Sequence, residues 1–224
     1  MPNYHKLYTP QDSAVVFIDF QPQMTFGVAS MDRALMINNV VLLAKVAKEF
    51  NVPAVLTSVE TEGFSGYVWP QLLDVFPGQP VVERSSMNSW DDAGSRKAIE
   101  ATGKKNIIMT GLWTEVCVTW PTIEMLGAGY NIYVVEDCCG ATSPAAQEAA
   151  LSRMVQAGAV RLATIAALLE WQRDWAKKEH YDALMKLLRP QAGAYGVGVE
   201  YAYTMVHHAP QTAQKPQVVP KKAH

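Results

Sequence analysis

The chain has 224 residues, 49% of them hydrophobic, with 19 Lys and Arg against 21 Asp and Glu. This length and apolar content predict one domain with a large buried core and appendages. The formal charge of -2 leaves no basic excess to neutralise a phosphate backbone, so we expect no nucleic-acid partner. The longest apolar runs fall short of the roughly 20 residues that a membrane span requires, so we expect no membrane partner.

The N-terminal sequence and the cysteines bear on the compartment. Residues 1–6 lack an apolar signal core with a small-residue cleavage site. The three cysteines are an odd number and too few for a disulfide framework. We therefore expect a cytoplasmic protein with free thiols.

Short apolar segments alternate with helical patterns over the first 165 residues or so. A continuous apolar run such as 14–19 is typical of a strand covered on both faces of a parallel sheet. This alternation predicts a three-layer α-β-α, Rossmann-like fold with an open, mainly parallel six-stranded sheet. The predicted strands are 14–19, 53–58, 81–84, 106–111, 131–137 and 160–163, and the predicted helices are about 36–50, 68–76, 91–102, 117–129 and 144–158.

Beyond residue 164 the pattern changes to helix without strands. We place one domain at residues 1–190, including these C-terminal helices. Residues 191–224 are rich in Gly, Ala and Pro, which predicts an extended tail that is disordered or packed on a neighbouring subunit. The apolar helical surface and the tail together predict a homo-oligomer.

Three reactive side chains follow predicted strands. Asp19 ends the first strand, Arg84 ends the third, and Cys117 begins the helix after the fourth. Sites in open parallel sheets form outside the carboxyl ends of the strands, so one crevice can hold all three. A helix N-terminus favours the thiolate and lowers the pKa of a thiol. We therefore predict Cys117 as nucleophile, Asp19 as its proton acceptor and Arg84 as the local positive charge.

Each of these residues also has a structural interpretation. A buried free cysteine packs as a small hydrophobe, and an Asp at a strand end is commonly a turn or cap residue. Arg84 can equally be a surface charge or a salt-bridge partner. Cys138 and Cys139 also lie near the carboxyl edge, but an adjacent pair is geometrically poor for a disulfide, and we expect a packing role for both.

Several motifs together resemble the isochorismatase-like cysteine hydrolase superfamily, over about residues 12–165. They are Asp19 with Gln21, the segment Gly111-Leu-Trp-Thr-Glu-Val-Cys-Val118, and Val135-Glu-Asp137; Asn88 with Trp90 is similar to the YcaC-like branch. The resemblance implies the fold predicted above, together with a catalytic Asp, Lys, Cys triad. It also implies hydrolysis of amides or, in other branches, of vinyl ethers.

The resemblance assigns roles to particular positions. Asp19 and Cys117 match the triad, whereas Arg84 stands where the family has lysine, so it keeps the electrostatic role but cannot shuttle a proton. A non-proline cis peptide is implied at Leu112-Trp113. Its implied use is to aim the backbone N–H groups of Trp113 and Cys117 at a developing oxyanion. Relatives in the YcaC-like branch are octameric, which extends the expectation of a homo-oligomer.

Cofactors are not implied. The metal-binding branch of the superfamily uses an Asp-x-His motif and a further His, but this chain has no histidine between His5 and His180. The His207-His208 pair is at most a weak surface metal site. The sequence has no glycine-rich phosphate loop, so we expect no metal and no organic cofactor.

The leading prediction is therefore a hydrolase that cleaves a small-molecule amide-type C–N bond through a thioacyl intermediate on Cys117. Two alternatives stay open: a catalytically decayed binding or scaffold protein, and a thiol redox protein in which Cys138 or Cys139 resolves an oxidised Cys117. The physiological substrate cannot be read from the sequence. The candidate pocket residues are Phe64, Trp69, Asn88 and Trp90, with Trp113 beside the thiol.

Overall fold

The computed structural model describes residues 6–206, in which six parallel strands form one sheet. The order β3-β2-β1-β4-β5-β6 reverses direction between β1 and β4, which places the switch-point crevice at their carboxyl ends. This arrangement confirms the predicted α/β fold. The strands are β1 Ser13–Ile18, β2 Ala54–Val59, β3 Val81–Arg84, β4 Asn106–Leu112, β5 Asn131–Gly140 and β6 Val160–Leu162.

Helices cover both faces of the sheet. On one face, α2 and α7 pack on β5, and α8 packs on α2. On the other face, α4 packs on β2 and β3, α5 packs on β5, and α6 packs on β6. The helices are α1 Pro22–Phe26, α2 Arg33–Glu49, α3 Pro70–Leu73, α4 Ala93–Ala101, α5 Thr119–Gly127, α6 Pro144–Ala157, α7 Thr164–Gln172, α8 Tyr181–Gln191 and α9 Gly193–Tyr201; π-helical turns span Thr61–Ser65, Thr114–Val118 and Ala202–Val206.

Local capping explains where the helices begin and end. Asp92 caps α4 by accepting from the N–H of Ser95 at 2.6 Å, so the cap lies one residue beyond the predicted Asp91. Ser143 caps α6 in the same way, and Gly158 ends that helix in the left-handed conformation, with φ of 113°. These residues therefore fix where α4 begins and where α6 begins and ends.

The C-terminal region differs from the extended tail predicted from residue 191. Helix α8 runs through Gln191, and α9 packs against α8 so closely that a Cβ on Gly196 would come within 2.5 Å of α8 carbonyl oxygens. Because Gly196 has no side chain, α9 can pack on α8, a contact that the composition of residues 191–224 did not predict. Arg189 donates to Glu200 at 2.6 Å across the same pair of helices. The rest of the predicted tail, including His207-His208, lies outside the described residues.

Within residues 6–206, no helix combines the length and apolar character that crossing a bilayer requires.

Candidate active site

The carboxylate of Asp19 lies at the switch point, directly after β1. Its backbone is left-handed, with φ of 55°, a conformation that Asp tolerates better than most residues. The N–H of Asp19 donates to the carbonyl of Thr57 at 3.1 Å, and the N–H of Gln21 donates to the carbonyl of Asp19 at 2.8 Å. The residue has no exposed surface. A tight, fully hydrogen-bonded turn therefore fixes a buried carboxylate at the crevice.

Arg84 reaches this carboxylate from the end of β3, two strands away. The side chain crosses the end of β2, a span of about 10 Å for two strand spacings. Its Nη1 donates to Asp19 Oδ1 at 2.7 Å and its Nη2 to Oδ2 at 2.6 Å, which makes the contact bidentate. Nη1 also lies within 3.2 Å of Thr57 Oγ1 and 3.0 Å of the Ser58 carbonyl oxygen, both on β2.

The Asp19–Arg84 ion pair is withdrawn from water, since neither side chain has exposed surface. Burial opposes the charge on Arg84, but the hydrogen bonds and the negative charge of Asp19 outweigh it and raise the pKa of the guanidinium. Arg84 is thus a permanent cation with no proton to give. Thr57 Oγ1 adds a hydrogen bond to Asp19 Oδ1 at 3.1 Å.

Cys117 lies inside the π-helical turn Thr114–Val118, not at the N-terminus of a helix as predicted. The α-helix itself begins two residues later, at Thr119. Cys117 is 3% exposed, and Asp19, Arg84 and the backbone N–H of Trp113 all lie close enough to its thiol to shift the thiol pKa. The structure thereby brings Asp19, Arg84 and Cys117 together.

The surroundings of Cys117 raise the pKa of its thiol to about 12, which corrects the expectation of a lowered pKa. Burial is the largest cause, and the charge and hydrogen-bond acceptor of Asp19 act in the same direction. Arg84 and the N–H of Trp113 act in the opposite direction but are outweighed. The resting site therefore holds a protonated thiol beside a neutralised ion pair.

The segment before Cys117 contains the cis peptide bond that the resemblance implies, between Leu112 and Trp113. Trp113 is anchored by its Nε1, which donates to the carbonyl of Met24 at 2.7 Å. Its ring lies against Gly27, where a Cβ would come within 2.5 Å of it. Gly111 allows a similarly close approach between β4 and β1, because a Cβ there would lie 2.6 Å from the Cβ of Ile18.

Side chains distant in sequence hold the cysteine-bearing turn in place. Thr114 Oγ1 donates to Oε1 of Gln147 on α6 at 2.7 Å, and Gln147 Nε2 lies 3.3 Å from two carbonyl oxygens of β5. Glu115 Oε1 accepts from both the N–H and the hydroxyl of Thr142, at 3.1 and 2.6 Å. We did not predict these supports, because no local signal links residues some 30 positions apart.

Of the four predicted pocket residues, three are buried and one is exposed. Trp69 and Trp90 are packed in the hydrophobic core, and the ring of Trp69 packs at a tilt of 44° against Phe20, with ring centroids 4.8 Å apart. Asn88 is buried and donates to Glu124 at 2.9 Å, which joins the loop after β3 to α5. Phe64 is 61% exposed. Asn88 thus has a linking contact, and Phe64 alone of the four presents an open surface.

Cys138 and Cys139 are fully buried within β5, and all three cysteines are free. Burial raises the pKa of Cys138 well above the ordinary thiol value and that of Cys139 to about 12. Cys138 lies 3.1 Å from the hydroxyl of Thr164. These surroundings fit the packing role expected for both residues.

Metal ligands are not gathered in the part of the chain that the structure describes. Within residues 6–206, no group of three or more His, Cys, Asp or Glu side chains is arranged to hold an ion. The expectation that the protein needs no metal stays a prediction.

Comparison with known proteins identifies the family. The model of the isochorismatase domain matches residues 13–167. The chain belongs to the isochorismatase family. It is 35% identical to the probable hydrolase YcaC of Escherichia coli over 165 residues, which cover 73% of this chain and 79% of that protein. The chain is accordingly a hydrolase of this family, with YcaC among its relatives.

Two solved YcaC structures superpose on this family member with a TM-score of 0.83. One is YcaC from Pseudomonas aeruginosa with hexane-2,5-diol and covalent acrylamide, 34% identical over 88% of this chain and 96% of that chain. The other is the Escherichia coli YcaC gene product, an octameric hydrolase of unknown specificity, 32% identical over 89% of this chain and 97% of that chain.

The raised pKa of Cys117 makes its reaction with iodoacetamide strongly pH-dependent. We expect the alkylation rate to keep rising well above the ordinary thiol pKa of about 8.5. Asp19→Asn removes the carboxylate charge and leaves Arg84 in place, so the pKa should fall and alkylation at pH 8 should accelerate. Peptide mass spectrometry across a pH series measures both effects.

Cys138 and Cys139 serve as internal controls for folding in that series, since their labelling would report unfolding of the variant. A wild-type rate that levels off below pH 8, or slower labelling in Asp19→Asn, would contradict this description of the site.

Proposed function

We propose that the chain cleaves the C–N bond of a small-molecule amide through a thioacyl intermediate on Cys117. The observation that carries the proposal is the position of Asp19, a buried carboxylate that the Arg84 guanidinium grips with two hydrogen bonds and that helps to raise the pKa of the Cys117 thiol. The covalent acrylamide in the Pseudomonas aeruginosa YcaC structure supports a nucleophile in that relative, although acrylamide reacts through its C=C bond and not at its amide.

In acylation, the thiol proton of Cys117 passes to Asp19 while the sulfur attacks the carbonyl carbon and forms the C–S bond. The C–N bond then breaks. The departing nitrogen takes the proton from Asp19 and leaves as ammonia or an amine. Because the resting thiol has a raised pKa, the transfer is favourable only as the C–S bond forms.

Deacylation uses the same carboxylate in reverse. Asp19 takes a proton from water, the hydroxide attacks the thioester carbonyl, and the C–S bond breaks. The proton returns to the sulfur, so the carboxylic acid is released and the resting thiol is restored. Arg84 keeps its charge throughout, and Asp19 alone carries the proton in both halves of the reaction.

The negative charge that develops on the carbonyl oxygen needs donors. We assign this role to the backbone N–H groups of Trp113 and Cys117. Trp113 supports the assignment because its backbone N–H lies close enough to the Cys117 sulfur to act on the thiol pKa, and its indole is held by Met24 and Gly27. Fixed backbone donors stabilise an oxyanion without reorganising during the reaction.

Turnover of uncharged small amides tests the mechanism. We expect ammonia release by the wild-type protein, and a fall in kcat of about 10²–10⁴-fold in Asp19→Asn because the proton acceptor is lost. Cys117→Ser should lose the acyl adduct that intact-protein mass spectrometry detects during turnover. Cys138→Ala is the matched control, since it removes a nearby thiol and should leave kcat almost unchanged.

Wild-type turnover by Cys117→Ser would show that another group is the nucleophile. No turnover of any amide, together with unselective labelling of the three cysteines, would favour the binding or scaffold alternative. A Cys117–Cys138 or Cys117–Cys139 disulfide after mild oxidation would favour the redox alternative.

We also propose that the chain forms a homo-oligomer. The octameric Escherichia coli YcaC supports this, as do large exposed apolar side chains close to the carboxyl edge of the sheet. Phe26 on α1 is 69% exposed, and Phe64 and Tyr67 after β2 are 61% and 67% exposed. We expect sedimentation velocity at micromolar concentration to give a mass several times that of one chain, and a monomer would contradict the proposal.

A further inference from the structure

Gln21 lies two residues after Asp19, and no step of the proposed reaction uses its side chain. The residue has no exposed surface. Its Oε1 accepts from the N–H of Val59 at 2.9 Å, and its Nε2 donates to the carbonyls of Val59 at 3.1 Å and of Gly66 at 2.6 Å. Nε2 also lies 3.4 Å from Thr61 Oγ1. A buried amide costs free energy unless it is hydrogen-bonded, and here both ends of the amide are engaged.

The two contacts with Val59 extend the pairing of β1 and β2 beyond the end of β1. The register between these strands ends at Ile18 and Thr57, because the left-handed backbone of Asp19 turns the chain away from the sheet. The Gln21 amide carries a donor and an acceptor side by side, as a peptide group does, and it binds both backbone groups of Val59. The side chain therefore takes the place of a main-chain partner for β2.

Val59 is the β2 residue that lies beside Arg84. The two residues are paired in the parallel register of β2 and β3, and the N–H of Glu60 donates to the carbonyl of Arg84 at 3.1 Å. At its other end, Gln21 donates its backbone N–H to the carbonyl of Asp19 at 2.8 Å. One residue thus joins the turn that carries Asp19 to the strand position next to Arg84.

The backbone of Gln21 is itself fixed by the first turn of α1. Its carbonyl accepts from the N–H of Thr25 at 3.0 Å and from Thr25 Oγ1 at 2.8 Å. Thr25 Oγ1 in turn accepts from Nε1 of the buried Trp69 at 2.8 Å. A side chain holds another group in place only when its own position is locked, and these contacts meet that condition.

We infer, building on the proposed function, that Gln21 is a positioning residue for the Asp19–Arg84 ion pair. By tying the end of β1 to β2 at the position beside Arg84, it keeps the carboxylate oxygens 2.7 and 2.6 Å from the two guanidinium nitrogens. Its amide is engaged by backbone groups, so Gln21 acts through Asp19 and not on the substrate. Asp19 must stay aligned to take and return a proton in both halves of the reaction.

Steady-state kinetics of Gln21→Met test the inference on an amide that the wild-type protein turns over. Methionine fills a similar volume without the hydrogen bonds. We expect kcat to fall by about 10–100-fold, because a misplaced acceptor transfers the proton poorly, and KM to stay almost unchanged. Gln172→Met is the matched control, since Gln172 is also buried and its Nε2 also donates to two backbone carbonyls, at the carboxyl end of α7. This control should leave kcat almost unchanged.

A crystal structure of Gln21→Met tests the geometry without any substrate. We expect the contact between Asp19 and Arg84 to lengthen or to lose one of its two short hydrogen bonds. An unchanged bidentate pair would overturn the inference, and so would an equal fall of kcat in Gln21→Met and Gln172→Met. If Gln21→Met does not fold, the same measurements are made on Gln21→Asn, whose amide is one methylene too short for both Val59 and Gly66, with the same expected results.

The positioning role and the proposed function fail separately. A wild-type kcat in Gln21→Met, together with the expected fall in Asp19→Asn, would overturn the positioning role and leave the proposed function standing. Absence of amide turnover by the wild-type protein would remove the proposed function, and the crystal structure would then still decide whether Gln21 sets the geometry of the ion pair.

Discussion

The buried ion pair between Asp19 and Arg84 is the interaction on which the rest of the site depends. Burying two charges costs several kcal/mol for each ion before their attraction is counted, so such a pair is weak evidence for stability alone. Here the cost is offset by bidentate geometry and by contacts from Thr57 and Ser58. Removing either partner would leave an uncompensated buried charge, at a cost of about 3–5 kcal/mol.

The pair also acts on the Cys117 thiol. Burial is the main reason that the thiol keeps its proton at rest, the charge of Asp19 acts in the same direction, and the charge of Arg84 partly opposes both. This is a different strategy from a preformed thiolate at a helix N-terminus. In the proposed mechanism, activation waits until a carbonyl carbon is in place, which limits side reactions of the sulfur, and Asp19 alone transfers the proton because Arg84 cannot give one up.

Much of this arrangement could be predicted from the sequence, for a physical reason. Buried parallel strands read as continuous apolar runs, so the polar residues that end them, such as Asp19 and Arg84, stand out at the carboxyl edge. The same logic placed Cys117 after β4. The pKa of that thiol was predicted in the wrong direction, because burial and a facing carboxylate depend on contacts between distant segments and outweigh the local helix dipole.

Other features had no local signal at all. Gln147, on α6, holds the turn that carries Cys117 through a hydrogen bond with Thr114. Gly196 lets two C-terminal helices touch where the composition predicted an extended tail. Sequence therefore locates the candidate reacting groups, whereas the protonation of the Cys117 thiol follows from tertiary contacts.

We propose that Cys117 is a neutral thiol that donates a hydrogen bond to Asp19 in the resting protein, and the account depends most on this claim. Infrared spectroscopy of the S–H stretch observes that proton directly, and the Cys117→Ser variant identifies which part of the band belongs to Cys117. At neutral pH the account predicts a Cys117 band at lower frequency than those of Cys138 and Cys139, which shifts in Asp19→Asn. Absence of a Cys117 band at neutral pH would mean a resting thiolate and would contradict the account.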